Sequence, residues 1–270
     1  MSPFDLLRGD SPLILAFPHT GTGLPPEIHS RLNANGRLLA DTDWHIDRLY
    51  QDLLPEATIV RANFHRYVID ANRDPYGTSL YPGQNTTSLV PLTDFDGEPI
   101  WERGQEPGEG DITARLAAFH RPYHVAISRE IERVRSRHGI ALLYDCHSIR
   151  PVIPYLFEGT LPDFNIGTNS GLTCQAGLEQ AALHTVAAAS GYSHVLNGRF
   201  KGGWTTRHYG RPDHGVHAIQ MELSQATHLG EGEHRFDYDE AKAGRLRPVL
   251  KELLTRLEQI TRELSPLPLP

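Results

Sequence analysis

Residues 13–17 read Leu-Ile-Leu-Ala-Phe and residues 140–144 read Ile-Ala-Leu-Leu-Tyr, two runs with no break in their apolar character. A run that is apolar at every position, and too short for a helix, reads as a buried strand. Further apolar stretches at 57–60, 67–69, 164–167, 193–196 and 217–223 read as strands. Helical periodicity appears at 43–53, where Asp41 or Thr42 can cap. It recurs at 111–118 and 123–137, separated by Pro122 as a breaker, with Gly139 as a stop. A helix over 172–189 ends near Gly191. Leu246, Val249, Leu250, Leu253, Leu254, Leu257, Ile260 and Leu264 give the last segment one apolar face that packs on the domain. This alternation predicts an α/β fold, a single domain over 1–270 with a mixed central sheet flanked by helices. The turn-rich stretch 74–110 reads as an ordered insertion near a site, anchored by Tyr76, Leu80, Tyr81, Leu89, Val90 and Trp101.

Composition excludes several classes. With 26 Lys+Arg against 33 Asp+Glu and a net charge of −7, the chain lacks the basic footprint that nucleic acid requires. No segment approaches the roughly 20 consecutive apolar residues that span a bilayer, and the first residues show no signal-peptide core. The expected compartment is the cytoplasm, and two cysteines make no disulfide framework. The 15 histidines are many for this length, so their placement matters.

In α/β sheets, ligands gather beyond the carboxyl ends of the strands. The first apolar run ends in Pro18-His19-Thr20-Gly21 and the second in Asp145-Cys146-His147-Ser148. Strand alternation puts Asp145 and His147 on one face and Cys146 on the other. A carboxylate beside a histidine can hold its second ring nitrogen, as in metal sites. His19 and His147 are therefore candidate metal ligands. Catalytic zinc commonly takes two histidines and a carboxylate. Asp41, Asp43 and Asp47 are the nearest source of that third ligand, and Asp43, on the first turn of its helix, is preferred.

Arg66 and Arg73 bracket a short apolar segment, with Asn72 adjacent. Guanidinium forks clamp carboxylates, although Arg73 can equally pair with Asp70 or Asp74. The segment 197–210 gathers Arg199, Lys201 and Arg207 among glycines and hydroxyls. Glu222 stands near the end of an otherwise apolar strand, where a carboxylate is costly unless paired or set in a cleft. It is the natural general base for an activated water. These residues describe a metal-assisted hydrolase facing an anionic substrate. No H-E-x-x-H, C-x-x-C or G-x-S-x-G is present.

The segments PHTGTGLP, DTDWHIDRLY, RYVIDANRDP, YDCHS, FNIGTNSGLTC, NGRFKGGWTTRHYGRP and QMELSQ, from about Pro18 to Ser224, resemble the N-formylglutamate deformylases, or N-formylglutamate amidohydrolases. That resemblance implies a fold like the zinc carboxypeptidases and aspartoacylase. It implies hydrolysis of N-formyl-L-glutamate to formate and L-glutamate, the last step of one route of histidine degradation. It makes His19 and His147 metal ligands, Glu222 the general base and Arg66 the oxyanion stabiliser. Asn72 and Arg73 resemble the pair that binds a substrate carboxylate, and Arg207, then Lys201, are candidates for the second carboxylate. The cofactor implied is one divalent ion, zinc or cobalt, and the partner a small molecule. Carboxypeptidase-like sites take a carboxylate ligand three residues after the first histidine, where this chain has Thr22, so Asp43 stands in that role. A deacylase of another N-acyl amino acid and a non-catalytic dicarboxylate binder are the competing expectations.

Overall fold

The computed structural model describes residues 1–78 and 83–266. The strands are β1 (Phe4–Leu7), β2 (Leu13–Phe17), β3 (Thr58–Ala62), β4 (Ala141–Ile149), β5 (Phe164–Gly167), β6 (His194–Leu196) and β7 (Val216–Ser224). The helices are α1 (Pro26–His29), α2 (Ile46–Tyr50), α3 (Glu109–Arg115), α4 (Arg121–His138), α5 (Ala176–Ala188), α6 (Trp204–Tyr209) and α7 (Glu240–Glu263). The strands form one mixed sheet in the order β1-β3-β2-β4-β7-β5-β6. β2 pairs in parallel with β3 and β4, β4 with β7 and β5 with β6, while β1–β3 and β5–β7 are antiparallel. The result is the single α/β domain with a mixed, helix-flanked sheet that the sequence predicts. Among the described residues no helix is long and apolar enough to cross a membrane.

The alternation of β2 and β4 divides the core in two. Leu13, Leu15, Phe17, Leu142, Tyr144 and Cys146 face α5 and α7 in one cluster. Ile14, Ala16, Ala141 and Leu143 face α4 and the segment after β3 in the other. The second face carries the chemistry. Following its parity along β4, Ala141 and Leu143 give way to Asp145 and His147. Along β7, Ala218 gives way to Gln220 and Glu222. One face is thus apolar at its base and polar at the carboxyl ends, because the period of two continues while the residue type changes.

Several expectations need correction. The helix expected over 43–53 is confined to Ile46–Tyr50, so Asp43 precedes it. Residues 67–69 are not a strand. They lie in turns, with Val68 N donating to His65 O, and pack their side chains into the second core. An apolar run of three has no period that separates strand from buried turn. Pro122 does not break the helix. It lies in the first turn of α4, directly after a wider π turn at Leu116–His120, where the hydrogen-bond ladder is already shifted. Helix α5 begins at Ala176 rather than 172. Strand β1 and helices α1 and α6 are additional. Gly139 does stop α4, at φ 71°, a backbone angle that glycine adopts without penalty. Within 74–110, Leu89, Val90 and Trp101 enter the second core, whereas Tyr76 is 93% exposed, and Leu80 and Tyr81 lie outside the described residues.

Candidate active site

His19 lies two residues beyond β2 and His147 lies within β4, its neighbour. Asp43 reaches them by backbone pairing, because its N–H donates to the His19 carbonyl at 3.0 Å. The Ser148 N–H in turn donates to Asp43 Oδ2 at 3.2 Å. One ligand atom from each of His19, Asp43 and His147 lies within 4.8 Å of the other two, and all three residues are buried. Asp43 Oδ2 is 3.0 Å from His147 Nδ1 and 3.8 Å from His19 Nδ1. The remaining ring nitrogens are held by carboxylates. His19 Nε2 is 2.7 Å from Asp70 Oδ1, and His147 Nε2 is 3.1 Å from Asp145 Oδ2. Both Nδ1 atoms therefore face Asp43 while second carboxylates fix the rings, the arrangement that orients histidines toward a metal ion. Two imidazole nitrogens and one carboxylate oxygen suit a divalent transition ion. The surroundings demand positive charge as well. Burial lowers the His147 pKa, yet Asp145 and Asp43 outweigh it and hold the imidazole well above its ordinary range.

The other two aspartates do different work. Asp47 accepts from Arg61 at 2.6 Å, away from this group. Asp41 accepts from the Tyr67 hydroxyl at 2.8 Å and the Phe95 N–H at 3.0 Å. Burial pushes its pKa up to about 7. Thr22 is solvent-exposed.

The turn after β3 supplies the cations. Arg66 is buried, with Nη2 on Asp70 Oδ2 at 2.5 Å, Nη1 3.4 Å from His19 Nδ1, and its guanidinium over the Phe95 ring at 4.6 Å. Burial raises the Asp70 pKa, but Arg66, Arg73 and His19 together hold it well below the usual carboxylate range. Asp70 Oδ1 also accepts the Asn72 N–H at 2.8 Å. Asn72 Oδ1 accepts the Thr205 N–H at 2.8 Å, and its Nδ2 lies 3.1 Å from His147 Nε2. Gly203 is required here, since a Cβ would fall 2.3 Å from Asn72 Nδ2. Arg73 donates to the Thr87 carbonyl and hydroxyl, each at 2.9 Å, and its Nη1 stands 3.6 Å from Asp70.

Strand register brings in the last group. His147 on β4 is paired with Glu222 on β7, side by side in parallel strands. Gln220 Nε2 donates to Glu222 Oε2 at 3.1 Å, while Gln220 Oε1 accepts the Gly203 N–H at 2.6 Å. Burial raises the Glu222 pKa to about 8, with His147 pulling down and Asp43 pushing up. A carboxyl so placed can take and return a proton near neutral pH.

His19, Asp43, Arg66, Asn72, Arg73, His147 and Glu222 all line one cleft of about 600 Å³, open mouth included. Lys201 and Arg207 are not among its lining residues, and Arg207 Nε donates to the Gly202 carbonyl at 2.8 Å. Arg199, from the same segment, does line it. Its Nε donates to the Leu156 carbonyl at 3.1 Å and its Nη2 to the Asn85 carbonyl at 3.2 Å. Asp70, Phe95, Arg199 and Gln220 are participants that sequence reasoning did not assign. Asp70 was visible as a pairing partner of Arg73, and Gln220 as the polar residue two before Glu222. Nothing local marked Phe95.

A model of the family "N-formylglutamate amidohydrolase" matches residues 11–229. The chain is 46% identical over 252 residues to an N-formylglutamate deformylase of Pseudomonas aeruginosa, covering 93% of this chain and 94% of the relative. It is 46% identical over 253 residues to one of Pseudomonas putida, covering 93% of each. Its fold is similar to the crystal structure of an N-formylglutamate amidohydrolase from Ralstonia eutropha JMP134, with TM-score 0.80, 26% identity and coverage of 97% and 99% of the two chains. A protein of Agrobacterium tumefaciens shares the fold at TM-score 0.70 and 19% identity, covering 96% of each chain.

Proposed function

The chain belongs to the N-formylglutamate amidohydrolase family, and on that footing we propose that it hydrolyses N-formyl-L-glutamate to formate and L-glutamate, aided by one divalent cation held by His19, Asp43 and His147. The observation that carries this reading is the placement of that buried group beside Glu222 in the cleft that also holds Arg66, Asn72 and Arg73. Zinc or cobalt, when bound, would supply a Lewis acid that lowers the pKa of a water toward about 7 and polarises a carbonyl.

The chain's own groups account for the rest. Glu222 accepts a proton from the attacking water and later delivers it to the leaving amine nitrogen. Gln220, hydrogen-bonded to Glu222 Oε2, keeps that carboxyl aimed. Arg66 donates to the oxygen that gains charge as the formyl carbon becomes tetrahedral, and Asp70 and the Phe95 ring fix its guanidinium. The formyl group is too small to provide much binding energy, so the glutamate portion must supply it. Arg73 and Asn72 receive the α-carboxylate. For the side-chain carboxylate, Arg199 is favoured over Arg207 and Lys201, because Arg199 lines the cleft and they do not. The product and the relatives' named activity suit a step in histidine degradation.

The test is formate release from N-formyl-L-glutamate by purified protein, with metal content measured on the same sample before and after chelation. Turnover that vanishes with the metal and returns on its re-addition is the expected result. A metal-loaded protein silent on this substrate but active on acetyl or carbamoyl amino acids would move the reading to another deacylase. Protein that binds the substrate without metal and without turnover would make it a dicarboxylate binder.

A further inference from the structure

Three side chains of the long helical segment 109–138 point at the backbone of the turn that carries Asp70, Asn72 and Arg73. Arg115 Nη1 donates to the Val68 carbonyl at 3.1 Å. His124 Nε2 lies 2.7 Å from the Ala71 carbonyl, and His120 Nε2 lies 3.1 Å from the Arg73 carbonyl. A carbonyl oxygen only accepts, so both histidines donate from Nε2. The two carbonyls flank Asn72. All three side chains are buried.

Their spacing explains how one segment aims all three. Arg115 and His120 are five apart and span the π turn Leu116–His120, in which residues i and i+5 share a face. His120 and His124 are four apart on α4, where i and i+4 share a face. The π turn therefore keeps the faces of α3 and α4 in phase, and the row is continuous. The opposite side of Asn72 is held by α6, through the Thr205 N–H on Asn72 Oδ1. Trp204, one residue earlier, packs its ring 5.6 Å from His120 and 4.7 Å from His124. Tyr209 completes the packing, with its hydroxyl 3.1 Å from His124 Nδ1.

We propose that His120 and His124 are positioning residues for the substrate-carboxylate clamp, fixing the carbonyls on either side of Asn72 so that Asn72 and Arg73 meet the ligand without reorganising. The proposal rests on the function given above for that clamp. Neither histidine lines the cleft, so neither touches substrate. Burial lowers both imidazole pKa values, in accord with neutral donors. A pre-set clamp contributes to binding, and its loss appears in KM before kcat.

The test replaces each histidine in the full chain by Leu, Asn or Gln. Gln can carry an N–H to the place of Nε2, whereas Asn is too short and Leu has none. His120→Leu and His124→Leu are expected to raise KM for N-formyl-L-glutamate about tenfold, with kcat within about threefold, and Gln to restore both. In an Arg73→Ala background the Leu substitution should add clearly less than it does alone, because both changes act through the same carboxylate clamp. Amide hydrogen exchange at residues 70–74 should quicken in the Leu variants and recover with Gln. Should Leu prevent folding, the Asn and Gln variants decide, Asn behaving as Leu is expected to. A fall in kcat at unchanged KM, Gln as damaging as Leu, or effects that multiply fully with Arg73→Ala would overturn the proposal. If the parent protein turns over no N-formyl-L-glutamate, the assigned reaction falls. Exchange at 70–74 then decides alone, unchanged protection overturning the positioning role.

Discussion

The inner and outer ends of the cleft are built by different means. At the inner end His19, Asp43, His147 and Glu222 stand on or beside β2, β4 and β7, are buried, and share a network in which each histidine holds two carboxylates. At the outer end Asn85, Thr87, Leu156 and Arg199 come from loops, tied mainly by side chains on backbone carbonyls. The difference separates two demands. Reacting groups need fixed distances, which strand register supplies, whereas substrate shape can be met by loops that tolerate change.

If the inner end is the reacting end, Glu222→Gln has the largest effect. It keeps size and hydrogen bonding but removes the proton acceptor, so kcat should fall by about 10³-fold while KM changes little. Single-turnover formate release would check it, and an undiminished kcat would strip Glu222 of the proton-transfer role. Asp70→Asn comes next. It removes the charge shared by His19 and Arg66 and should cost about 10–100-fold in kcat/KM or metal affinity. Asp47→Ala, which removes one of the two carboxylates on Arg61 and leaves Asp5, is the control and should cost almost nothing. Equal losses from both would erase the distinction drawn between these aspartates.

The outer end is sharpened by a smaller effect. Arg199→Ala should raise KM for N-formyl-L-glutamate about tenfold, roughly the worth of one charge-assisted contact, and leave kcat nearly unchanged. On N-formyl amino acids without a side-chain carboxylate the variant should match the parent. Arg207→Ala matching the Arg199→Ala pattern instead would return the subsite to Arg207.

The last effect is on stability rather than turnover and concerns the support of the inner end. His228 Nε2 donates to the Trp44 carbonyl, next to Asp43, and burial lowers its pKa to about 4. The ordinary value is about 6.5, so between the two the unfolded chain binds the proton that the folded chain refuses. The contribution of this group is full above about pH 6.5 and falls as the pH drops toward 4, by about 3 kcal/mol at most. Melting temperature against pH should show that acid branch, and His228→Gln should make it shallower, the remainder belonging to other buried histidines such as His120 and His124. An unchanged slope would mean the branch arises elsewhere.

How much was legible in sequence follows the same division. The uninterrupted apolar runs announced β2 and β4, and alternation along 141–149 placed Asp145 and His147 together on one face. The polar exits of those strands gave His19 and His147, and that of β7 gave Glu222, as candidates from residues alone. The carboxylate partner was ambiguous among Asp41, Asp43 and Asp47. Their surroundings differ through residues distant in sequence: His19, His147 and Ser148 for Asp43, Tyr67 and Phe95 for Asp41, and Arg61 for Asp47. Residues 67–69 misled because a buried turn and a short strand can have the same composition. Arg199 and Arg207 stand in one basic, glycine-rich segment, and which faces the cleft depends on carbonyls the sequence does not mark, those of Leu156 and Asn85 for Arg199 and of Gly202 for Arg207. The π turn was invisible, since an extra residue in a helix changes the phase without changing propensity.

The pairing of His147 with Glu222 has a consequence for how such a protein can be altered over generations. The two residues are neighbours only because β4 and β7 run side by side in one register through nine residues each. Loss or gain of a single residue inside β7 would turn Glu222 toward the apolar layer under α5 and α7 and bring Met221 or Leu223 to face the histidine, and the same change inside β4 would turn His147 away and put Cys146 or Ser148 beside Glu222. Length changes are therefore barred from these strands. The segments 83–87 and 198–200 lie outside the sheet register, and divergence toward other acyl amino acids has its open ground there, short of Gly203, which Asn72 and Gln220 hold in place.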